Sequence, residues 1–153
     1  MRAYYVPVLA GVLLMVSAFL PWMLVGEIPL GGVPDPAGLW VLGFGVTAIV
    51  LAGLSIWTRK NSRHPLLLVG LMSFTVLFLG YQWMARSAAE AAWARSQALA
   101  IVENSAPREQ PDSTFAVGMY LGLAASVVLI LFGLTIVVKR MPTPYAIGED
   151  DDI

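Results

Sequence analysis

Four long apolar blocks without a single Asp, Glu, Lys, Arg or His constrain this chain more than anything else in it. They run Tyr5–Val25, Leu39–Trp57, Leu66–Trp83 and Phe115–Val138. A run of roughly 20 apolar residues matches the hydrocarbon core of a bilayer. No water there pairs a bare backbone, so a spanning segment must be a helix or a strand of a closed barrel. Barrel strands are about 10 residues long and alternate in polarity; these blocks are longer and nearly continuous. They predict an all-α integral membrane protein with four transmembrane helices in an antiparallel bundle. Composition agrees: 12% of the 153 residues are charged, against about 25% in soluble domains. The first block is expected to remain as a helix, because its apolar run is long for a signal peptide and no small-x-small cleavage site follows it.

Charge sets an orientation. Arg2 precedes the first block, Arg59, Lys60 and Arg63 fill the second connection, and Lys139 and Arg140 follow the fourth block. The opposite side holds Arg86, Arg95 and Arg108. Positive residues in short loops mark the cytoplasmic side, so both termini are expected inside. Aromatic residues suit the two interfaces: Tyr4, Tyr5 and Trp57 inside; Trp22, Trp40, Tyr81 and Trp83 outside. The chain therefore reads as a multi-pass protein of a bacterial inner (plasma) membrane. Residues 1–140 form one transmembrane domain, and residues 141–153, "MPTPYAIGEDDDI", form a flexible acidic cytoplasmic tail.

The first connection, "GEIPLGGVPDPAG", is too rich in Pro and Gly for a helix and predicts a turn closing a helical hairpin. Asp35 and Pro36 suit the N-cap and first position of the second helix. Pro21 should kink or loosen the outer end of the first. Asp112 or Ser113 should cap the fourth.

The third block does not stop where the others do. "MARSAAEAAWARSQALAIVEN", residues 84 to 104, is alanine-rich and unbroken until Pro107. These are strong helix formers, so the third helix is expected to reach about 40 residues, on the order of 60 Å. Half of it would stand outside the membrane. Arg86, Glu90 and Gln97 share one side of that extension; Met84, Ala88, Ala91, Ala92, Leu99 and Val102 share the other, with Arg95 intruding. Trp93 lies among the polar residues, and an exposed tryptophan suits a partner contact. Two fates are open for the extension. It folds over the first loop or lies on the lipid surface, or it docks a partner subunit through Arg86, Glu90, Trp93 and Gln97.

Catalytic chemistry is missing from the pattern. Ionisable residues within spans mark proton relays and ion paths, and the four blocks have none. There is no cysteine and one histidine, His64. That excludes thiol chemistry and a bis-histidine haem in one copy, and leaves no cluster for an intramembrane metal or a serine protease. The chain is expected not to be an enzyme and to need no cofactor, metal or nucleic acid. What the blocks do carry is packing chemistry. Gly118, Gly122 and Ser126 recur every fourth residue; Ala48 and Ala52 do so on the second helix, and Gly43 and Thr47 add another pair. Small residues at that spacing let helices approach closely.

Trp22 and Gly38-Leu39-Trp40 resemble the tryptophan and GLW of the claudin layout. Claudins carry a cysteine pair after that motif and a much longer first outer segment, so the resemblance assigns no family. The functional expectation is a non-catalytic accessory or assembly subunit of a larger membrane complex, with the lipid bilayer and other membrane subunits as partners. The alternatives are a homo-oligomeric channel or small-molecule transporter, lined by hydroxyls and Gln82, or a binder of a lipid or quinone.

Overall fold

A computed structural model of the chain describes residues 4–26, 28–58, 63–104, 106 and 112–139. The expected tail at 141–153, together with Arg2, Glu27, Arg59, Lys60, Arg108 and Arg140, lies outside the described residues. Four helices dominate: α1 (Tyr5–Phe19), α2 (Pro36–Thr58), α3 (Arg63–Glu103) and α4 (Val117–Lys139). Three short strands join them: β1 (Pro21–Val25), β2 (Ile28–Gly31) and β3 (Ser113–Phe115). The helices touch in a closed ring, α1 on α2, α2 on α3, α3 on α4 and α4 on α1. Three of them, α2, α3 and α4, are long and apolar enough to cross a membrane.

The sheet corrects the all-α expectation, and the first block is where the reading fails. A helix was expected over 5–25, yet α1 ends at Phe19 after 15 residues. Pro21 is the cause. It restricts Leu20 to extended backbone, seen at φ −84° and ψ 158°, and it cannot donate to the carbonyl four residues back. That carbonyl, Ser17 O, accepts instead from Leu20 N at 3.3 Å and from the Trp22 indole Nε1 at 2.8 Å. The next, Ala18 O, accepts from Val33 N at 2.9 Å. The open end of α1 is thus closed by side chain and loop rather than by another helical turn.

β1 is the middle strand of an antiparallel sheet in the order β2-β1-β3. Two residues link β1 to β2, and Gly26 takes φ 61° there, a conformation glycine adopts without penalty. Trp22 sits at a register shift between Pro21 and Met23. Such a bulge re-aims a side chain, and Trp22 and Met23 are both fully buried. Trp22 was expected at a membrane interface; its indole is instead packed inside, against Gly32 and Gly80. Ala116 N donates to Trp22 O at 2.9 Å, so the start of α4 is tied to the end of α1. The expected cap of α4 at Asp112 or Ser113 is replaced by β3, which pairs Val25 with Ser113 and Met23 with Phe115.

The other ends follow local chemistry. Asp35 Oδ1 accepts from Ala37 N at 2.9 Å, capping α2 with Pro36 in its first position. α3 runs unbroken for 41 residues. It stops at Asn104, at φ 52°, a left-handed turn that Asn tolerates better than most residues. At the other end of the ring, Arg63 lies over the Phe132 ring at 5.5 Å, and Tyr4 meets the same ring edge-on at 5.3 Å.

Candidate functional site

Small side chains line the helix–helix contacts beside a few large buried ones, Leu14, Leu66, Leu77, Met119 and Leu129, while many other large apolar side chains face outward. Along α2 the buried residues are Gly38, Val41, Gly45, Ala48, Ala52 and Ser55, a repeat of three and four that keeps one stripe against its neighbours. Gly11 and Gly45 carry the α1–α2 contact: a methyl group at Gly11 would lie 3.0 Å from Gly45 O and 3.2 Å from Ala48 Cβ. Gly70 meets Ile130, and Gly133 meets Leu67, on the α3–α4 contact. Gly118 packs on the backbone of Leu20 and Pro21, and Gly122 on Ser17 and Leu77. Ser126 is fully buried and donates to Gly122 O at 2.9 Å.

Gly11, Gly45, Gly70 and Gly133 were missed by looking for pairs four apart within one helix. The three-and-four repeat read through Gly38, Gly45, Ala48 and Ala52 is the signal that finds the stripe on α2. Gly43 and Thr47 are the opposite case. Both are exposed, and a side chain at Gly43 would meet nothing within 4 Å. They lie off the packing stripe, because residues 43 and 47 fall between its turns. Gly43→Ala should therefore be neutral or stabilise α2 by up to about 1 kcal/mol, measured as the midpoint shift of unfolding in mixed detergent micelles.

The sheet end of the ring holds the larger concavities. Gly80 of α3 is level with the first turn of α2, its position for a methyl lying 2.8 Å from Ala37 Cβ. From there α3 continues through Glu103, about 35 Å further at 1.5 Å per residue. Its extension stands beside the β1–β2 hairpin and leaves an open groove of about 340 Å³ between Val25, Ile28 and Leu30 on one wall and Ala88 to Leu99 on the other. A second concavity, about 550 Å³, lies between the start of α2 and Trp83, Arg86 and Glu90 of α3.

The four residues expected to meet a partner recur as Arg86, Glu90, Trp93 and Gln97, every three or four residues, so they share one face. That face lies opposite the groove. Arg86 and Glu90 are exposed, Trp93 is 47% exposed, and Gln97 is half-buried. Ile101 and Val102 are also exposed, near the far end of the helix. Trp57 and Trp83, at opposite ends of the ring, are 87% and 80% exposed.

Hydroxyls within the helices are occupied by their own backbone. Ser17 donates to Leu14 O at 2.7 Å, Ser73 to Val69 O at 2.7 Å, Thr47 to Gly43 O at 2.8 Å and Thr75 to Leu71 O at 2.9 Å. Gln82 is exposed on α3, and His64 is exposed in its first turn. Among the described residues no group of three His, Cys, Asp or Glu is arranged to hold a metal ion. Comparison of the chain with protein-family models, with curated proteins and with solved structures finds no match.

Proposed function

We propose that this chain is a multi-pass membrane protein, an antiparallel four-helix bundle with both termini on the cytoplasmic side of a bacterial inner membrane, and that it serves as a non-catalytic assembly subunit of a larger membrane complex. Insertion is supported by the apolar outer surface of the helices. Leu39, Val50, Leu54, Phe74, Phe78 and Leu131 face outward, and a soluble monomer rarely exposes so continuous an apolar surface. Trp40 and Trp57 are both exposed on α2 and stand 17 residues apart, about 26 Å along the helix. That separation suits aromatic anchors at the two faces of a hydrocarbon core of about 30 Å. α1 is short for such a core, but β1 continues from it with both edges paired and Trp22 and Met23 buried. Irregular backbone at membrane depth is tolerated where protein covers it.

The observation that carries the assembly reading is the extension of α3. A rigid helix leaves the ring, is braced on one side by the hairpin, and presents Arg86, Glu90 and Trp93 on the other. A half-exposed tryptophan between charged neighbours is the composition of an interface hot spot. Trp93→Ala should cost about 2 kcal/mol of partner affinity and leave insertion intact. Affinity purification from native membranes in mild detergent, read by native mass spectrometry, checks both. Stoichiometric foreign subunits with the parent chain, and their loss with the variant, support the reading. A lone homo-oligomer, or unchanged stoichiometry with Trp93→Ala, overturns it or the anchor role.

A further inference from the structure

The side of the α3 extension that faces away from Trp93 has a chemistry of its own. Ala88, Ala91, Ala92, Arg95 and Leu99 return every three or four residues to one face and line the groove against the hairpin. The helix wall is largely alanine, so the groove is left unfilled by side chains, and Val25, Ile28 and Leu30 close it on the other side with apolar surface. Arg95 carries the only charge among the described lining residues. The Ser96 hydroxyl beside it donates to Trp93 O at 2.7 Å.

We propose that this groove binds an anionic single-chain amphiphile, with its carboxylate or phosphate on Arg95 and its chain along Ala91, Ala92 and Ala88. An exposed guanidinium presents a planar fork of donors that matches either anion. The methylene chain would leave water against Val25, Ile28 and Leu30, which favours binding in proportion to the area covered. The polarity of the groove is consistent with this occupant. Arg95 lies farther from the helical ring than Ala88, so the head points outward and the chain points back toward the apolar exterior of the ring. A polypeptide is the rival occupant, and the hairpin disfavours it. The outer strand β2 has four residues and includes Pro29, which removes a donor from the edge that an added strand would use. The inference does not rest on the assembly reading, because the groove and the Trp93 face lie on opposite sides of the helix.

The test uses the full chain in nanodiscs of zwitterionic phospholipid, titrated with a dansyl-labelled undecanoic acid and with its methyl ester. The acid should bind more tightly than the ester. Arg95→Gln should weaken the acid about tenfold, as loss of a charge-assisted contact does, and leave the ester unchanged. Ala91→Trp should fill the groove and abolish binding of both, whereas Ala94→Trp, on an exposed position outside the groove, should not. Displacement of the probe by dodecanoate and by dodecyl phosphate, with phosphatidylglycerol in the disc without effect, supports a free single-chain anion; displacement by phosphatidylglycerol overturns the single-chain occupant. Equal binding of acid and ester with no effect of Arg95→Gln, or binding that survives Ala91→Trp, overturns the proposal. Co-purification of partners with Arg95→Gln stays at parent level, which separates failure here from failure of the assembly reading.

Discussion

Trp22→Ala is expected to destabilise the protein by about 3–5 kcal/mol, the range for truncating a fully buried large aromatic. Three losses combine. The indole leaves a cavity against Gly32 and Gly80. Its Nε1–H no longer reaches Ser17 O, so the carbonyl that Pro21 leaves open keeps only the 3.3 Å contact from Leu20 N. The bulge that re-aims residue 22 also loses its side-chain anchor. The damage should be local first. Hydrogen exchange at Val33 and Ala116, whose amides bond to Ala18 O and Trp22 O, should accelerate before exchange in the middle of α2. Trp22→Phe separates the terms: it keeps most of the apolar volume and removes the hydrogen bond, for about 1–2 kcal/mol. A midpoint of unfolding for Trp22→Ala within 1 kcal/mol of the parent would show that the indole does not hold the sheet to the ring.

The second large effect is at Gly38, where tertiary structure and helix propensity oppose each other. In an isolated helix Gly→Ala gains about 1 kcal/mol. In the folded chain a methyl group at Gly38 runs into the backbone of Gly32 and Val33, which has no flexible end to swing aside. Overpacking of this kind costs about 1–3 kcal/mol, so Gly38→Ala should destabilise while Gly43→Ala, five residues along the same helix, should not. Measured side by side in one detergent series, Gly38→Ala should lower the midpoint and Gly43→Ala should leave it unchanged or raise it. Equal shifts would mean that the hairpin loop does not press on α2.

The exposed residues of the α3 extension follow a different logic from these two. Trp22 and Gly38 are closed in by several elements at once, so their substitution disturbs folding. Arg86, Glu90, Trp93 and Arg95 lie on a helix whose own backbone bonds hold it, so their substitution should be felt in binding and hardly in stability. That difference lets the partner and amphiphile experiments be read without unfolding as a confounding cause.

Much of this protein was legible in local sequence. The extent of α3 follows from the absence of any proline between Pro65 and Pro107 and from alanine's low cost in a helix, and the structure places its end at Glu103, before Asn104. The start of α2 follows from Asp35 and Pro36, because a cap is a bond between residues two apart. Apolar block length located α2 and α4 to within a few residues. Tertiary structure alone decided the rest. "PWMLV" has the apolarity of a membrane helix, and it became a strand because β2 and β3, one of them about ninety residues away in sequence, pair with both of its edges. The burial of Trp22 depends on the bulge that pairing with β2 imposes at its own position and on Gly32 and Gly80 making room, and neither glycine is adjacent to it in the chain. Which small residues pack was likewise a question of partners: Gly43 and Gly45 look alike in sequence, but only Gly45 faces α1. Periodicity along one helix defines a stripe, and the neighbouring helix determines which stripe is used.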